Sequence, residues 1–514
     1  MKTRAFLPIV AVLFAAFTLP TQTFAQSTNV KTPNKNQSAK FKSGIFKGSG
    51  NLIGSNSIAS FIGGGQSNAV GSGVTNGVVG GGFGNSVGTH FGTVAGGLAN
   101  TAGEVFSTVS GVQFNSVFIG ASNAVIGGGS ANIAFFAALN GVIGGGLSNT
   151  VSGELAFVGG GQENTASGIF STIGAGQGNT ANSRSATVSG GERNTAGSAA
   201  TTVGGGDGNN ATGEGSTVAG GWVNTASGAW SMVAGGQNNT AAGTNAAVVG
   251  GSFNMATING AFVGGGRQNL ASGDDATVSG GQYNLASGSG AVVAGGSQNR
   301  ADGGGSVVGG GLQNFATALY ATVPGGVLAR ATNVGAFVWG GTGSAITTAS
   351  TNEFSFTVRA VGGVRFITTD IDSTVVSPVP GGLNGVFLAP NSGAWASLSD
   401  SNAKTKVTAV DPRTILSKLA AMPVTQWEYK SDPDKRRYIG PMAQDFHAAF
   451  GLGYDDKSIS TLDSDGVMYA AIQGLVEELK ERDTAMAARD KKIDELNAKL
   501  KSFEERLRSL PPAP

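Results

Sequence analysis

The sequence repeats itself every 15 residues, and this period limits what the chain can fold into. Valine recurs at this step from Val188 to Val338, and alanine recurs at it from Ala196 to Ala316. Asparagine forms a third row, with steps of 15 or 17 residues at its upstream end: Asn68, Asn85, Asn100, Asn115, Asn132, Asn149, Asn164, Asn179, Asn194, Asn209, Asn224, Asn239, Asn254, Asn269, Asn284, Asn299 and Asn314. Three rows at one period predict a solenoid of stacked, similar coils.

A coil of 15 residues is too short to contain a helix, and its sequence favours strands. Residues 216–228 form two β-like stretches divided by Gly-Gly and Ser-Gly. We predict two strands of about five residues and two corners per coil, with neighbouring coils ~4.8 Å apart. Glycine and asparagine are expected to supply the positive φ angles of the corners. Some 19 coils over residues 49–345 then form a rod roughly 90 Å long.

A single coil of this kind has little to stabilise it. Burying one Val and one Ala contributes on the order of 2–4 kcal/mol, whereas ordering each backbone residue costs about 1–2 kcal/mol. Only 14 of the 297 residues from Ser49 to Ala345 are charged. An interior lined with valine and alanine is thin, so other apolar positions, including Trp222, Phe262 and Leu270, are expected to need a partner surface. We therefore predict that several chains pack side by side.

Composition excludes several functions. The net charge of +1 gives no basic field for nucleic acid. The chain has no cysteine, which excludes disulfide scaffolds and thiolate zinc sites. Its two histidines, His90 and His447, are far apart in sequence, and aspartate is too rare in the repeat for calcium-binding coils. We predict no metal site and no cofactor.

The amino-terminal end predicts export. Residues 1–25 contain two cations, an apolar run of about 15 residues and a Thr-Phe-Ala sequence before Gln26, the layout of a cleaved signal peptide. The alternative is an uncleaved membrane anchor, but the run is short of the ~20 residues that span a bilayer. Residues 26–48 are predicted to be a flexible leader, and no transmembrane anchor is predicted elsewhere.

The sequence downstream of the repeat differs in composition. Residues 346–393 are predicted to be a connecting β region, because the alternating runs 354–359 and 364–368 flank Gly362-Gly363 as in a hairpin or short sheet. Residues 472–510 show a heptad typical of a parallel coiled coil. Its a positions are Ile472, Leu479, Met486, Ile493, Leu500 and Leu507, and its d positions are Leu475, Arg482, Arg489, Leu496, Phe503 and Leu510.

The repeat, with units such as Ser-Thr-Val-Ala-Gly-Gly at residues 216–221, resembles the head repeats of trimeric autotransporter adhesins. That resemblance implies a left-handed parallel β-roll that is stable only as a trimer. The fold class expected is therefore mainly β: a trimeric parallel β-roll, followed by an α+β domain and a trimeric coiled coil.

Three motifs upstream of the heptad carry a second resemblance. They are residues 395–404 (Trp-Ala-Ser-Leu-Ser-Asp-Ser-Asn-Ala-Lys), residues 427–430 (Trp-Glu-Tyr-Lys) and residues 439–446, which begin Ile-Gly-Pro-Met-Ala-Gln. They resemble the intramolecular chaperone domain of endosialidases and phage tail spikes, also classed as S74 peptidases. The resemblance implies a domain at 394–471 that trimerises, assists folding of the preceding fibre and then cleaves itself off. It makes Ser399 the nucleophile and Lys404 the general base.

The sequence leaves alternatives open for the dyad and for the whole protein. Ser399 is otherwise a turn residue and Lys404 a solvated charge, in which case the chain is not an enzyme. The expected protein is a secreted or cell-surface fibre, adhesin-like, whose partners are two further copies of itself and a host-surface or glycan receptor. A tail-fibre or tail-spike protein encoded in a prophage is the alternative.

Overall fold

A computed structural model describes residues 43–341, 346–367, 385–397, 399, 401 and 404–510. The predicted signal peptide, residues 1–25, and most of the predicted leader lie outside these residues. The chain divides into two units, residues 1–359 and 360–514.

The first unit is a parallel β-solenoid in which odd-numbered and even-numbered strands form two separate ladders. Ladder A, with 21 strands, consists of Gly44–Ile45 (β1), Phe61–Ile62 (β3), Val78–Val79 (β5), Thr93–Val94 (β7), Thr108–Val109 (β9), Val125–Ile126 (β11), Val142–Ile143 (β13), Phe157–Val158 (β15), Thr172–Ile173 (β17), Thr187–Val188 (β19), Thr202–Val203 (β21), Thr217–Val218 (β23), Met232–Val233 (β25), Ala247–Val248 (β27), Phe262–Val263 (β29), Thr277–Val278 (β31), Val292–Val293 (β33), Val307–Val308 (β35), Thr322–Val323 (β37), Phe337–Gly341 (β39) and Phe356–Ala360 (β41). Ladder B consists of Leu52–Ile53 (β2), Ala69–Val70 (β4), Ser86–Val87 (β6), Thr101–Ala102 (β8), Ser116–Val117 (β10), Ile133–Ala134 (β12), Thr150–Val151 (β14), Thr165–Ala166 (β16), Thr180–Ala181 (β18), Thr195–Ala196 (β20), Asn210–Ala211 (β22), Thr225–Ala226 (β24), Thr240–Ala241 (β26), Met255–Ala256 (β28), Leu270–Ala271 (β30), Leu285–Ala286 (β32), Arg300–Ala301 (β34), Phe315–Ala316 (β36), Ala329–Ala331 (β38) and Thr348–Ala349 (β40).

Most of these strands have two residues, so the predicted length of about five was wrong. The reason is a third row of single-residue bridges between the ladders, such as Trp222 to Gln237. A coil therefore has three straight segments where two were expected, and each is correspondingly short. Backbone hydrogen bonds join all three segments to the next coil, as in Thr217 N to Ser231 O (3.0 Å), Trp222 N to Gly236 O (2.9 Å) and Thr225 N to Asn239 O (2.8 Å).

The valine and alanine rows line the interior of the solenoid, as predicted. Val218 and Ala226 of one coil, like their equivalents from Val188 to Val338 and from Ala196 to Ala316, have no exposed surface. In the strands the inward residue alternates with an outward one, the pattern of a strand with one covered face.

The asparagine row has a different role from the one predicted. No asparagine from Asn68 to Asn314 in this row has a positive φ, and all are buried. The left-handed corners are formed instead by the residue before each asparagine, such as Val223 (φ 53°), and by Gly221 (φ 96°) and Trp230 (φ 57°) of the same coil.

Each buried asparagine is held by hydrogen bonds to both neighbouring coils. Asn239 Nδ2 donates to Gly235 O (2.9 Å) and to Gly251 O (2.9 Å). Its own backbone N–H donates to Asn224 Oδ1 (3.0 Å), and its Oδ1 accepts from the backbone N–H of Asn254 (3.0 Å). Both donors and the carbonyl of the amide are therefore paired, which removes the cost of burying it.

The boundaries of the solenoid differ from the predicted ones. Gly44–Ile45 pairs with Phe61–Ile62, so the ladder begins inside the predicted leader 26–48. At the other end, β40 and β41 extend the ladders beyond residue 345. The solenoid continues because backbone groups pair even where the repeat's side-chain pattern has faded.

Of the two predicted alternatives, a hairpin or a short sheet, the hairpin is wrong, because the two runs pair with different partners. The first run belongs to β41 in ladder A. The second run is Val364–Ile367 (β42), which pairs antiparallel with Gly385–Leu388 (β43). Strand β43 in turn pairs antiparallel with Trp395–Ser397 (β44), so the second unit begins with a three-stranded sheet.

Three helices and a hairpin complete the described part of the second unit. They are Pro412–Ala421 (α1), Thr425–Glu428 (β45), Arg437–Gly440 (β46), Ala443–Phe450 (α2) and Thr461–Arg508 (α3). The Asp411 side chain caps α1 by accepting from Arg413 N, and Ser460 caps α3 by accepting from Asp463 N. Helix α3 runs unbroken through most of the heptad segment 472–510. Among the described residues, no helix has the length and apolar character needed to cross a bilayer.

Candidate active site

Ser399 and Lys404, the two residues predicted to react, lie between strand β44 and helix α1. Ser399 comes two residues after the end of β44. A backbone hydrogen bond from Lys404 N to Ser401 O (3.2 Å) forms a turn between the two positions. Residues 398, 400, 402 and 403 lie outside the described residues. The carbonyl group of the peptide bond before Ser399 belongs to residue 398 and is therefore not described.

The turn brings the two predicted side chains together. Lys404 Nζ donates to Ser399 Oγ over 2.8 Å. This is the separation that a base needs to take the proton of a hydroxyl nucleophile. The geometry fits a serine–lysine dyad, and the catalytic role of the pair stays a prediction.

Both side chains are exposed in the single chain. A protonated ammonium group donates hydrogen bonds and accepts none, so a lysine acts as a base only where burial or neighbouring cations lower its pKa. The geometry for proton transfer is present in one chain, whereas the desolvation that proton transfer requires must come from a further surface.

The helices next to this turn share a small apolar core. Met422, Phe446 and Val467 are buried there, and Ile415, Leu419, Phe450 and Ile459 pack against them. The core joins the carboxyl end of α1, the middle of α2 and the first turns of α3. It holds α1, which begins eight residues after Lys404, against α2 and α3.

An aromatic cluster lies on the β45–β46 hairpin. Trp427 stacks on Tyr438 with ring centroids 4.9 Å apart, and Tyr429 meets both rings edge-on. Within the described part of the chain, the buried Nε1 of Trp427 has no hydrogen-bond partner. The cluster explains why the sequence places aromatic residues on both strands of a short hairpin.

Residues 399–451 match a family model described as "Chaperone of endosialidase" (Peptidase S74). The β-solenoid is followed by a chaperone-of-endosialidase domain. The match begins at Ser399, contains Lys404 and the aromatic cluster, and ends at Gly451, where α2 is capped in a left-handed conformation (φ 65°). Residues 394–398 and 452–471 of the predicted domain lie outside the match. No curated protein matches the chain.

Helix α1 of the chaperone domain is tied to α3 by contacts that sequence reasoning missed. Arg413 forms ion pairs with Glu477 (3.4 Å) and Glu481. Next to them, Gly474 of α3 lies against the backbone of Pro412, and a β-carbon at residue 474 would overlap the Pro412 carbonyl oxygen. These residues are more than 60 positions apart in sequence, so no local pattern could have paired them.

We expect Gly474→Ala to destabilise the chaperone domain by roughly 1–3 kcal/mol, because α1 must move away to make room. Gly466 lies on the same helix and has open space where a β-carbon would lie. Gly466→Ala is the matched control, and it should stabilise α3 by up to about 1 kcal/mol because alanine is the better helix former. Hydrogen exchange of α1 in the full chain measures both effects. Equal changes in protection in the two variants would contradict this packing.

We also expect acid to loosen the chaperone domain before the solenoid. The Thr414 hydroxyl and the Arg413 N–H lower the pKa of Asp411, and the Arg413 guanidinium lowers the pKa of Glu481. A carboxylate whose pKa is depressed by folding contributes stability above its unfolded pKa, and that stability is lost as pH falls through the folded pKa. The loss should therefore develop below about pH 4–5. The buried asparagines carry neutral amides and do not titrate.

Hydrogen exchange at a series of pH values, corrected for intrinsic rates, measures this difference. Protection of α1 should fall in acid while that of the asparagine row persists. Asp411→Asn keeps a capping side chain but removes one titrating group. The hydrogen-exchange protection of α1 should therefore fall less in acid in this variant than in the wild type. A solenoid that opens at the same pH as α1 would contradict the expectation.

Proposed function

We propose that the protein is an exported, trimeric fibre whose chaperone domain aligns three chains, assists folding of the solenoid and then cleaves itself off before Ser399. The observation that carries the proposal is the 2.8 Å contact of Lys404 Nζ with Ser399 Oγ at the start of a segment that matches the chaperone family. The apolar signal-like run at residues 5–19 supports export. Attachment to a surface receptor is the proposed role of the mature rod.

The exposed side of α3 supports assembly of three chains. The apolar heptad residues are between 47% and 65% exposed in the single chain, although the heptad pattern places them on one stripe of the helix. An exposed apolar stripe of this length, interrupted by Arg482 and Arg489 at two d positions, is normally covered in soluble proteins. We propose that it forms a parallel three-stranded coiled coil over residues 472–510.

A repeating solenoid needs such an alignment device. Because one coil is nearly identical to the next, two chains shifted by a whole 15-residue repeat offer each other almost the same contacts. Pairing between chains is also non-local and hence slow. A coiled coil has a single heptad register, and it would bring the three copies to the same height before the coils associate.

The proposed cleavage is a single-turnover reaction. The Lys404 amine takes the Ser399 hydroxyl proton while Oγ attacks the carbonyl carbon of residue 398, and a C–O bond forms. The C–N bond then breaks, and the Ser399 nitrogen receives the proton from Lys404. Water hydrolyses the resulting ester, which leaves a carboxylate on residue 398 and restores the hydroxyl. Lys404 can act as the base only after a neighbouring chain desolvates it.

The test is to express residues 26–514 as wild type and as Ser399→Ala, Lys404→Ala and Ser401→Ala variants, and to compare them on denaturing gels. Wild type and Ser401→Ala, the control hydroxyl in the same turn, should release a fragment of 116 residues, 399–514. The other two variants should remain intact. An uncut wild type, or release of the fragment from Ser399→Ala, would rule out this mechanism.

A further inference from the structure

One face of the solenoid carries no charge over 18 successive coils. This A face consists of the outward residue of each ladder A strand and the residue that follows each strand, from Phe61 to Pro324. The first row contains only Thr, Val, Phe, Met and Ala, and the second only Gly, Ala, Ser, Val and Pro. All 14 charged residues between 49 and 345 lie at corners, on ladder B or in the row of single-residue bridges.

The other surfaces of the solenoid do not share this property. The outward row of ladder B contains Asn210, Arg300 and Arg330. The corner that follows ladder B is apolar only over part of the rod, where Phe91, Phe106 and Phe170 are exposed. Downstream, the same corner carries Arg184, Glu214, Asp274 and Asp275, which no continuous apolar partner would cover.

We infer that the A face is the wall that three copies of this chain share, parallel and in register, around a common axis. The inference rests on the trimer proposed above and specifies the surface that forms it. A face that repeats with the coil and stays uncharged over 18 coils fits a partner of the same length and the same repeat. That partner is another copy of the chain.

The size and the chemistry of the A face both fit another copy of the chain as its partner. The 18 strands of the A face, ~4.8 Å apart, span about 85 Å, and its two residues per coil give a width of about 7 Å, hence about 600 Å² per chain. Two such faces together bury about 1,200 Å², above the ~1,000 Å² expected of a specific interface. The small side chains of the second row permit close approach of neighbouring chains. At equal height, three threonine hydroxyls around an axis can each donate to the next, so they remain paired when buried.

Single cysteines test the inference, because the chain has no cysteine of its own. Thr217→Cys places a thiol on the A face, and Thr225→Cys places one on ladder B of the same coil; both threonines are half-buried. Thr187→Cys and Thr195→Cys provide the same comparison two coils upstream. Each variant is made in the Ser399→Ala full chain, its mass is measured by light scattering, and it is oxidised and run on a non-reducing gel.

If three chains surround a common axis, a disulfide can join two of their three thiols and leaves the third chain unlinked. Thr217→Cys and Thr187→Cys should therefore convert about two thirds of the chains to linked pairs. Thr225→Cys and Thr195→Cys should stay as single chains. In a protein with the mass of three chains, failure of the ladder A variants to link, or equal linking of the ladder B variants, overturns the inference and leaves the trimer standing. A mass of one chain overturns the trimer and the inference together.

Discussion

Replacing Asn239 by aspartate is expected to destabilise the solenoid by about 3–5 kcal/mol per chain, the cost of leaving a buried charge uncompensated. Asn239 is fully buried, and its Nδ2 donates to the carbonyl oxygens of Gly235 and Gly251. In Asn239→Asp a carboxylate oxygen faces these two acceptors and repels both. Protonation relieves one contact at most, because a carboxylic acid has a single donor.

The residue just before it provides the control for this prediction. Asn238 is half-exposed, has a positive φ of 52° and makes no side-chain contact of the kind made by Asn239. Aspartate tolerates the left-handed conformation almost as well as asparagine, so Asn238→Asp should change stability by less than about 0.5 kcal/mol.

Thermal unfolding and limited proteolysis of the two variants measure the difference. Because each coil of a solenoid contacts only its neighbours, a local break should divide the cooperative unit and open a new cleavage site near residue 239. Equal melting temperatures for Asn238→Asp and Asn239→Asp would contradict a structural role for the asparagine row.

Replacing Gly236 by alanine is the second change with a large expected effect. Gly236 has a φ of 89°, and a β-carbon there would overlap the carbonyl oxygen of Gly251 and lie 2.6 Å from Asn239 Nδ2. The left-handed conformation alone costs about 1–2 kcal/mol for a residue with a side chain. With the overlap added, the total loss should exceed about 3 kcal/mol, the range of substitutions that force backbone to move.

Gly235→Ala is the matched control, since no atom lies within 4 Å of where its β-carbon would be. Its carbonyl oxygen, which accepts from Asn239, is unchanged by the substitution. Denaturant unfolding should therefore separate the two variants by several kcal/mol. Similar midpoints would show that the corner can relax and that glycine is not required there.

The valine and alanine rows could be predicted because burial acts on every coil in the same way. A position that is inward in one coil is inward in all, so selection for burial leaves a row of one residue type at a fixed step. Val218 and Ala226, for example, follow from this argument alone. The same argument could not say what Asn224 does, because asparagine also occurs in turns, and only the spacing of neighbouring carbonyl groups distinguishes the two roles.

The corners and boundaries were harder to predict for a related reason. Val223 and Trp230 adopt positive φ angles that sequence patterns assign to glycine or asparagine, because the stack of coils holds each corner in place. Likewise Gly44–Ile45 extends the ladder upstream, since backbone pairing requires no particular side chain. Val364–Ile367 pairs with Gly385–Leu388, a strand distant in sequence, and local patterns do not predict such a pairing.

At the candidate site, family motifs identified Ser399 and Lys404, and the turn that brings them to 2.8 Å could not be derived from composition or period. Sequence gave no signal for the Arg413 ion pairs with Glu477 and Glu481 or for the contact of Gly474 with Pro412. These pairs depend on how α1 meets α3, which is a tertiary property.

We propose that this chain forms its solenoid as one of three copies aligned by the chaperone domain. Light scattering of residues 26–514 carrying Ser399→Ala, in which the domain stays attached, tests this proposal. We expect a particle with three times the mass of the chain. A folded particle with the mass of one chain would contradict it.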